Sequence, residues 1–496
     1  MKKLTTFGGK QMSMATQLSA RERIAGLFDD HSFVEIGAMV HARNTDFNMA
    51  EQDTPADGVL TGYGTIDGKL AYVYSQDIRV MGGSVGEMHA KKIVRMYDMA
   101  LKMGAPVIGL IDCAGMRLQE ATDALNAFGA IYYKQTMASG IIPQITGVFG
   151  TCGGGMALVP ALADFTFAVA GTGEIFVNSP DALDGNRTEI CNTAACDFRS
   201  KISGDVDGVC GDDSEVLAKI RRLVSILPSN NKEDAFCMSE VSDDLNRENP
   251  ALGMTKDTAF ILRDISDNGA YFEVKPDYAG EMVTAFITLN GNTVGAVANR
   301  EEVLGEDGAV SVHYEPVLTV AGIRKAESFI RFCDAFSIPV LTLVNVAGFK
   351  ASVEEERFMA AASAKLTYAY ASATVPKVSV VIGKAFGSAY LCMGSRHIGA
   401  DMMYAWPEAN IGMMASESAV KIIYSDEIGK AEDQKAFIRE KSAAYDALQN
   451  SPECAASRGY VDTVILPAAT RKRVIAAFDM LATKREPGMD KKHGTV

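Results

Sequence analysis

Two glycine-rich segments contain the residues of this chain that are best suited to chemistry. The first holds three consecutive glycines, 153–155, after an apolar, strand-like run over residues 141–149 and before an Ala- and Leu-rich segment that can start a helix. Because glycine has no Cβ, a ligand can approach such a turn closely and its N–H groups can donate hydrogen bonds. Donors held in this way suit a developing oxyanion, such as a thioester oxygen that becomes an enolate. A strand-to-helix turn that merely needs positive φ is the simpler interpretation.

The second glycine-rich segment repeats the first at an offset of roughly 233 residues. Gly150 matches Gly383 and Gly154 matches Gly387, without a gap, and residues 110–117 match 343–350 at the same offset. Solenoid repeats are far shorter, about 20–50 residues, so this period predicts two related domains. We place them at residues 1–245 and 246–496, with a polar, proline-marked linker over residues 226–253.

A third glycine-rich segment follows a predicted strand and opens a predicted helix. It contains Gly82, Gly83, Ser84, Gly86, Lys91 and Lys92. Three interpretations compete for it. Gly-x-Ser-x-Gly matches the nucleophile elbow of hydrolases, with Ser84 as the nucleophile. The glycines and the two lysines also suit a backbone cradle for a phosphate or for coenzyme A. A capped helix start with no further role explains the same residues.

Composition limits the function further. A net charge of −14 over 496 residues argues against non-specific nucleic-acid binding, which needs a basic surface. The nine cysteines contain no CxxC pair, so we expect no bound metal and no disulfide framework. The basic N-terminus lacks an apolar core of the signal-peptide type, and no run of about 18 apolar residues predicts a membrane span. We therefore expect a cytoplasmic protein.

The pattern of elements predicts an α/β fold. Short apolar strands alternate with helices over residues 118–140, 325–336 and 354–371, which is typical of parallel sheets covered by helices. Asp67-Gly68 and Asn290-Gly291 separate pairs of strand-like runs, and each predicts a hairpin turn.

Several segments, in order along nearly the whole chain, resemble the carboxyltransferase subunit of biotin-dependent acyl-CoA carboxylases and decarboxylases. They comprise residues 82–92, 105–110, 140–144, 331–336, 373–377 and 404–407. The resemblance implies a duplicated crotonase-like (ClpP-like) fold and a hexamer, a trimer of dimers, with sites between the N-terminal domain of one subunit and the C-terminal domain of another. The chain has no biotinyl or ATP-grasp segment, so a biotin carboxyl carrier protein and a biotin carboxylase or a membrane decarboxylase β-subunit would be its partners.

The resemblance also assigns roles to residues. The N–H groups around Gly154 and Gly155 would hold the acyl-CoA thioester oxygen, and those around Gly387, Ser388 and Ala389 the ureido oxygen of biotin. Contacts to the ligands would come from the segment that starts at Gly82 and includes Lys91 and Lys92, and from Gly115, Gly348 and Leu391. Leu391 matches a position that faces the acyl group in relatives, where leucine suits an apolar acyl chain.

Two departures from the family pattern keep alternatives open. Ser388 replaces a usual glycine, and residues 350–357 replace a Gln-Glu pair and a glycine-rich stretch. We expect carboxyl transfer between carboxybiotin and propionyl-CoA/methylmalonyl-CoA, in an ATP-driven carboxylase or a sodium-pump decarboxylase. Glutaconyl-CoA or another acyl-CoA is the alternative substrate. The alternatives of other classes are a non-catalytic scaffold subunit and a serine hydrolase using Ser84 with His313, His397 or His493.

Overall fold

A computed structural model describes residues 17–45, 47, 49–233, 241–305 and 307–486 of the chain. Some parts of the chain discussed above lie outside the described residues, namely the basic N-terminus, residues 234–240 of the predicted linker and His493. The chain forms two compact units. The N-terminal unit comprises residues up to Arg199 and Val209–Ser225, and the C-terminal unit comprises Ser200–Gly208 and residues from Ile226 onward. The domain boundary at residues 245/246 and the ligand assigned to each domain stay predictions.

The N-terminal unit is built on an eight-stranded sheet in the order β1-β2-β3-β4-β5-β6-β8, with β7 beside β5. The strands are β1 Val34–Ile36, β2 Val59–Ile66, β3 Lys69–Gln76, β4 Val107–Cys113, β5 Gln144–Gly153, β6 Phe165–Val169, β7 Glu174–Phe176 and β8 Gly208–Cys210. The helices are α1 Ala20–Leu27, α2 Glu87–Met103, α3 Ala121–Ala138, α4 Leu158–Leu162, α5 Cys196–Phe198 and α6 Asp213–Ile226. The pair β2/β3 is antiparallel, and β3 to β6 run parallel.

The C-terminal unit has an eight-stranded sheet in the order β20-β18-β17-β15-β11-β10-β9, with β19 beside β17. The strands of this unit, including two short pairs outside the sheet, are β9 Tyr271–Val274, β10 Met282–Leu289, β11 Asn292–Asn299, β12 Glu302–Leu304, β13 Val310–His313, β14 Val317–Leu318, β15 Val340–Val346, β16 Gly348–Phe349, β17 Lys377–Phe386, β18 Met402–Ala405, β19 Asn410–Gly412 and β20 Thr463–Val464. The helices are α7 Thr258–Ile265, α8 Val320–Ala335, α9 Val353–Ser372, α10 Gly387–Cys392, α11 Ser416–Ile423, α12 Ser425–Lys430, α13 Gln434–Tyr445, α14 Pro452–Ser457 and α15 Thr470–Leu481.

The two sheets share one topology, which confirms the duplication at the level of the fold. In each, an antiparallel hairpin is followed by three parallel strands, and a short extra strand pairs with the strand that precedes the glycine-rich turn. The central strands β4 and β15 are buried throughout, as expected of a parallel sheet covered on both faces.

Local chemistry explains why the elements begin and end where they do. Asp67 and Gly68 have φ of +49° and +79°, and Asn290 and Gly291 have +51° and +75°, so both predicted hairpin turns are confirmed. The helix predicted to start at residue 325 begins at Val320, because the Thr319 side chain accepts the Gly322 N–H and caps it earlier. Among the described residues, no helix has the length and apolarity needed to cross a bilayer.

Candidate functional site

The first glycine-rich turn lies in the N-terminal unit, where β5 ends at Gly153 and a short helical segment begins. Gly154 has φ of +59°, and a Cβ built on it would meet no atom within 4 Å. A Cβ on Gly155 would lie 2.9 Å from the Tyr132 hydroxyl, which donates a hydrogen bond of 2.5 Å to the Gly155 carbonyl. Gly154 is therefore needed for the left-handed backbone conformation. Gly155 is needed because the Tyr132 hydroxyl lies too close for a Cβ. N–H groups in a first helical turn have no acceptor inside the helix, so they can donate to a ligand.

The second glycine-rich turn has the same form in the C-terminal unit. Strand β17 ends at Phe386, and α10 begins at Gly387, whose φ of +60° matches that of Gly154. A Cβ on Gly387 would lie 3.1 Å from the Met413 carbonyl oxygen. Ser388 and the buried Ala389 follow in the first turn of α10. The predicted repeat therefore extends to the backbone conformation of both turns.

A cavity of about 470 Å³ opens beside the second turn. Gly387, Ser388 and Leu391 line one side of it. Aromatic rings line much of the rest, namely Tyr390, His397, Tyr445 and Tyr460. The Tyr390 hydroxyl is buried and has no hydrogen-bond partner in the described part of the chain, and burial raises its pKa to about 12. A bound polar group would give this hydroxyl a partner.

The segment that starts at Gly82 lies against the loop that follows β4. The Ala114 N–H donates to the Gly82 carbonyl at 3.0 Å, and the Val85 N–H donates to the Gly115 carbonyl at 2.9 Å. A Cβ on Gly115 would lie 3.2 Å from the Gly153 carbonyl oxygen, which joins this loop to the first glycine-rich turn. The structure thus brings together the glycines of the Gly82 segment, the Gly115 loop and the first glycine-rich turn.

A buried arginine, Arg117, holds that segment in place. Its guanidinium contacts Asp57 at 2.5 Å and Glu120 at 2.9 Å, and it donates to the Ser84 carbonyl at 2.8 Å. A Cβ on Gly86 would lie 2.2 Å from the Glu120 carboxylate, so Gly86 must be glycine at this contact. Arg117 belongs to the sequence repeat, but its role is not evident from neighbouring residues, because its carboxylate partner Asp57 lies 60 residues away.

Ser84 has the surroundings of a structural hydroxyl. Its Oγ donates to the Met81 carbonyl at 2.8 Å and accepts from the Arg117 Nε at 3.4 Å. The buried His89 ring instead contacts Gln76 and the Asp57 carbonyl, and burial lowers its pKa to about 3. None of the hydrogen bonds of the described residues joins Ser84 to a histidine, so the arrangement does not favour the hydrolase alternative.

The two predicted lysines lie on different faces of α2. Lys91 is exposed and forms an ion pair of 2.6 Å with Glu87. Lys92 is buried, and its ammonium donates to the carbonyls of Ala56, at 2.8 Å, and of Val59. Burial lowers the pKa of Lys92 to about 8. Lys92 therefore joins α2 to the segment before β2, and this arrangement does not support its predicted contact with a phosphate.

The predicted site residues of the C-terminal unit also lie near the second turn or its supporting loop. Gly348 begins β16, which pairs in parallel with β14. The Lys350 N–H donates to the Leu318 carbonyl at 2.8 Å, just as the Arg117 N–H donates to the Val85 carbonyl at 3.0 Å. Leu391 is 37% exposed and faces the cavity.

Comparisons with known proteins agree with this architecture. A model of the carboxyl transferase domain matches residues 13–496. The methylmalonyl-CoA decarboxylase subunit alpha of Propionigenium modestum is 41% identical over 97% of this chain and 93% of its own length. The propionyl-CoA carboxylase beta chain of Roseobacter denitrificans is 40% identical over 99% of this chain and 96% of its own length.

A solved structure matches the fold of the whole chain. The transcarboxylase 12S subunit, described as a hexamer with hydrolysed methylmalonyl-coenzyme A bound, superposes with a TM-score of 0.89. It is 39% identical, and the match covers 98% of this chain and 93% of that chain. The α/β fold with two crotonase-like domains is therefore confirmed. The family model and the relatives establish that this chain belongs to the carboxyl transferase family.

Proposed function

We propose that this chain transfers a carboxylate between carboxybiotin on a partner carrier protein and a short acyl-CoA, with propionyl-CoA/methylmalonyl-CoA as the preferred pair. The observation that supports it most is the pair of turns with φ of +59° at Gly154 and +60° at Gly387. Carboxyl transfer develops negative charge on the carbonyl oxygen of the acyl thioester and on that of biotin. Two matched sets of main-chain donors suit these two oxyanions.

In this proposal each turn has one ligand. The N–H groups at Gly154 and Gly155 bind the thioester oxygen and stabilise its enolate form. Those at Gly387, Ser388 and Ala389 bind the ureido oxygen of biotin, which supplies the carboxylate when its carrier is bound. The cavity beside Gly387 fits a ring system, because aromatic side chains line it and the buried Tyr390 hydroxyl has no partner among the described residues. Leu391 also lines this cavity, and its apolar side chain suits contact with the short acyl chain of the CoA ester that reacts with biotin there.

The segment from Gly82 to Gly86 and the Gly115 loop are the proposed contacts to coenzyme A, with Lys91 as an exposed cation nearby. Gly348 is the matching loop position in the C-terminal unit. We also propose a homo-hexamer, by analogy with the transcarboxylase 12S structure. A biotin carboxyl carrier protein, with a biotin carboxylase or a membrane decarboxylase subunit, would complete the reaction.

The test uses the purified full chain with free biotin and a panel of acyl-CoA esters. Biotin-dependent decarboxylation of methylmalonyl-CoA, faster than that of malonyl-CoA or glutaconyl-CoA, is the expected result. The absence of turnover with every ester, while calorimetry shows no coenzyme A binding, would refute the proposal and favour a scaffold subunit. Labelling by a fluorophosphonate that disappears in Ser84→Ala would favour the hydrolase alternative. Native mass spectrometry would show whether the chain is a hexamer.

A further inference from the structure

Asp112 and Asn345 occupy matched positions near the ends of β4 and β15, and both side chains are buried. Each points an oxygen at the neighbouring strand. The Asn345 Oδ1 accepts the Lys384 N–H at 3.0 Å, and a hydrogen bond from the Thr151 N–H lowers the pKa of the Asp112 carboxyl. The Thr151 N–H lies three residues before Gly154, and the Lys384 N–H lies three residues before Gly387. A side chain of β4 or β15 therefore holds the backbone that leads into each glycine-rich turn.

The contact sits at an irregularity that both sheets share. Ile111 pairs with Val148 but Cys113 pairs with Cys152, so a single residue of β4, Asp112, faces three residues of β5. The same shift separates Val344, which pairs with Val381, from Val346, which pairs with Ala385. A bulge leaves backbone groups without their ladder partners. Here the side chains of Asp112 and Asn345 accept N–H groups that have no acceptor on the backbone of β4 or β15.

Glycine at the bulge makes room for this side chain. A Cβ on Gly150 would lie 2.3 Å from the Asp112 Oδ1, and a Cβ on Gly383 would lie 2.5 Å from the Asn345 Oδ1. Neither glycine has positive φ, so the close approach alone explains why both are glycine. The pairing of a bulge glycine with the side chain opposite it therefore occurs twice in the chain, once in each sheet.

A third strand fixes each side chain's own backbone. The Asp112 N–H donates to the Gln76 Oε1 at 3.3 Å, and the Asn345 N–H donates to the Asn299 Oδ1 at 3.4 Å. Gln76 ends β3 and Asn299 ends β11, and both are buried. In each unit, therefore, a line of hydrogen bonds crosses three neighbouring strands and ends at the backbone ahead of the turn.

The two units satisfy the same geometry with different chemistry. Asp112 faces Arg23 at 3.5 Å, and burial raises the pKa of its carboxyl while Arg23 lowers it. Asn345 instead donates from its Nδ2 to the Glu301 carboxylate at 3.0 Å. A carboxylate and a neutral amide have only their acceptor oxygen in common. The shared feature is therefore acceptance of a backbone N–H, and proton transfer is not needed to explain it.

We infer that Asp112 and Asn345 are positioning residues, each of which fixes the bulge that aims one glycine-rich turn at its ligand. The inference rests on the proposed function, because it assigns the acyl-CoA side to Asp112 and the biotin side to Asn345. Loss of one acceptor disturbs the donors of one turn and leaves the other turn as it was.

The experiment compares leucine variants with variants that keep an acceptor. Asp112→Leu and Asn345→Leu remove the acceptor at similar volume. Asp112→Asn keeps one, as does Asn345→Asp combined with Glu301→Gln, which avoids facing carboxylates. We expect Asp112→Leu to lower kcat/KM for methylmalonyl-CoA by about 10- to 100-fold, since small displacements of positioned groups cost this much. Asn345→Leu should lower kcat/KM for free biotin by a similar factor. In each leucine variant, kcat/KM for the other substrate should stay within about twofold of wild type, and the acceptor-keeping variants should retain most activity.

Equal losses on both substrates, wild-type kinetics in both leucine variants, or equal losses in the acceptor-keeping variants would overturn the inference. Hydrogen–deuterium exchange supplies a second readout that does not need turnover. Peptides covering Thr151 should exchange faster in Asp112→Leu only, and peptides covering Lys384 faster in Asn345→Leu only; exchange unchanged in both would also overturn it. A wild-type chain without turnover would count against the proposed function alone. If the leucine variants do not fold, exchange in Asp112→Ser and Asn345→Ser, whose shorter side chains do not reach the N–H groups, decides it.

Discussion

Gly154→Ala tests whether the first glycine-rich turn is a binding surface or only a bend in the chain. Gly154 has φ of +59°, and an added Cβ would meet no atom within 4 Å. The only structural cost is therefore that of an L-residue in the left-handed region, about 1–2 kcal/mol. Gly68 is a matched control, because it has φ of +79° in the hairpin turn between β2 and β3 and equally open surroundings. Gly68→Ala should cost about the same stability.

The activities of the two variants should differ strongly. The methyl group of Gly154→Ala would occupy the open space in front of the turn, where the proposed function places the acyl thioester. There the methyl group would keep the thioester oxygen away from the N–H donors, and loss of one such oxyanion contact costs about 10²–10³ in kcat. We therefore expect kcat/KM for methylmalonyl-CoA to fall by about 100-fold or more in Gly154→Ala, and by less than about twofold in Gly68→Ala.

The assay pairs urea unfolding with biotin-dependent decarboxylation. Gly387→Ala extends it, because its φ of +60° gives the same strain while its Cβ would also lie 3.1 Å from the Met413 carbonyl oxygen. Gly387→Ala should therefore lose more stability than Gly154→Ala. If Gly154→Ala were as active as Gly68→Ala, the turn would be only a bend. A stability loss far beyond that of Gly68→Ala would mean that the space in front of Gly154 is not open.

Three further predictions concern buried charges and polar groups. His89 has a pKa of about 3 in the fold against 6.5 for an unperturbed ring, so its contribution to stability is present above pH 6.5 and is lost as pH falls toward 3. Urea unfolding should show up to about 1.4 kcal/mol lost per pH unit in this range, and His89→Gln should flatten that slope; an unchanged slope would contradict the assignment. Lys92→Met should destabilise by about 1–3 kcal/mol or more, because buried carbonyls lose their donor. The exposed neighbour variant Lys91→Met should cost less than about 1 kcal/mol, and equal losses would show that the burial of Lys92 does not matter. Arg117→Met should cost about 3–5 kcal/mol by leaving two buried carboxylates unpaired, and a fully stable variant with native melting behaviour would refute this.

The sequence predicted those features of the fold that depend on neighbouring residues. Asp-Gly and Asn-Gly dipeptides between strand-like runs identify hairpin turns because the turn needs φ > 0 at both positions, and Asp67 and Asn290 adopt it. The strand, glycine turn and helix around Gly154 and Gly387 were likewise predictable from apolar runs and local glycine chemistry. The repeat at fixed offset then predicted that both units share one topology, which they do.

Contacts between distant segments could not be predicted in this way. Lys92 was predicted, with Lys91, to contact a phosphate or coenzyme A, but its position on α2 turns it toward carbonyls that precede and begin β2, 33 to 36 residues away. Arg117 has one carboxylate partner, Glu120, three residues further on, but its other partner, Asp57, lies 60 residues away and gave no local sign. The helix start at Val320 was missed because it depends on a single side-chain hydrogen bond, from the Gly322 N–H to the Thr319 hydroxyl.

A comparison of matched residues shows which structural features the two units share and which differ between them. Lys92 and Lys325 each donate to backbone carbonyls, although the segments that they hold differ in sequence. Gly154 and Gly387 have the same φ, although Gly155 follows one and Ser388 the other. These shared features fix main-chain atoms. They fit the proposed stabilisation of two oxyanions by peptide N–H groups, which needs no side-chain acid or base. The replacement of a glycine by Ser388 is therefore compatible with carboxyl transfer, because a serine N–H donates as a glycine N–H does.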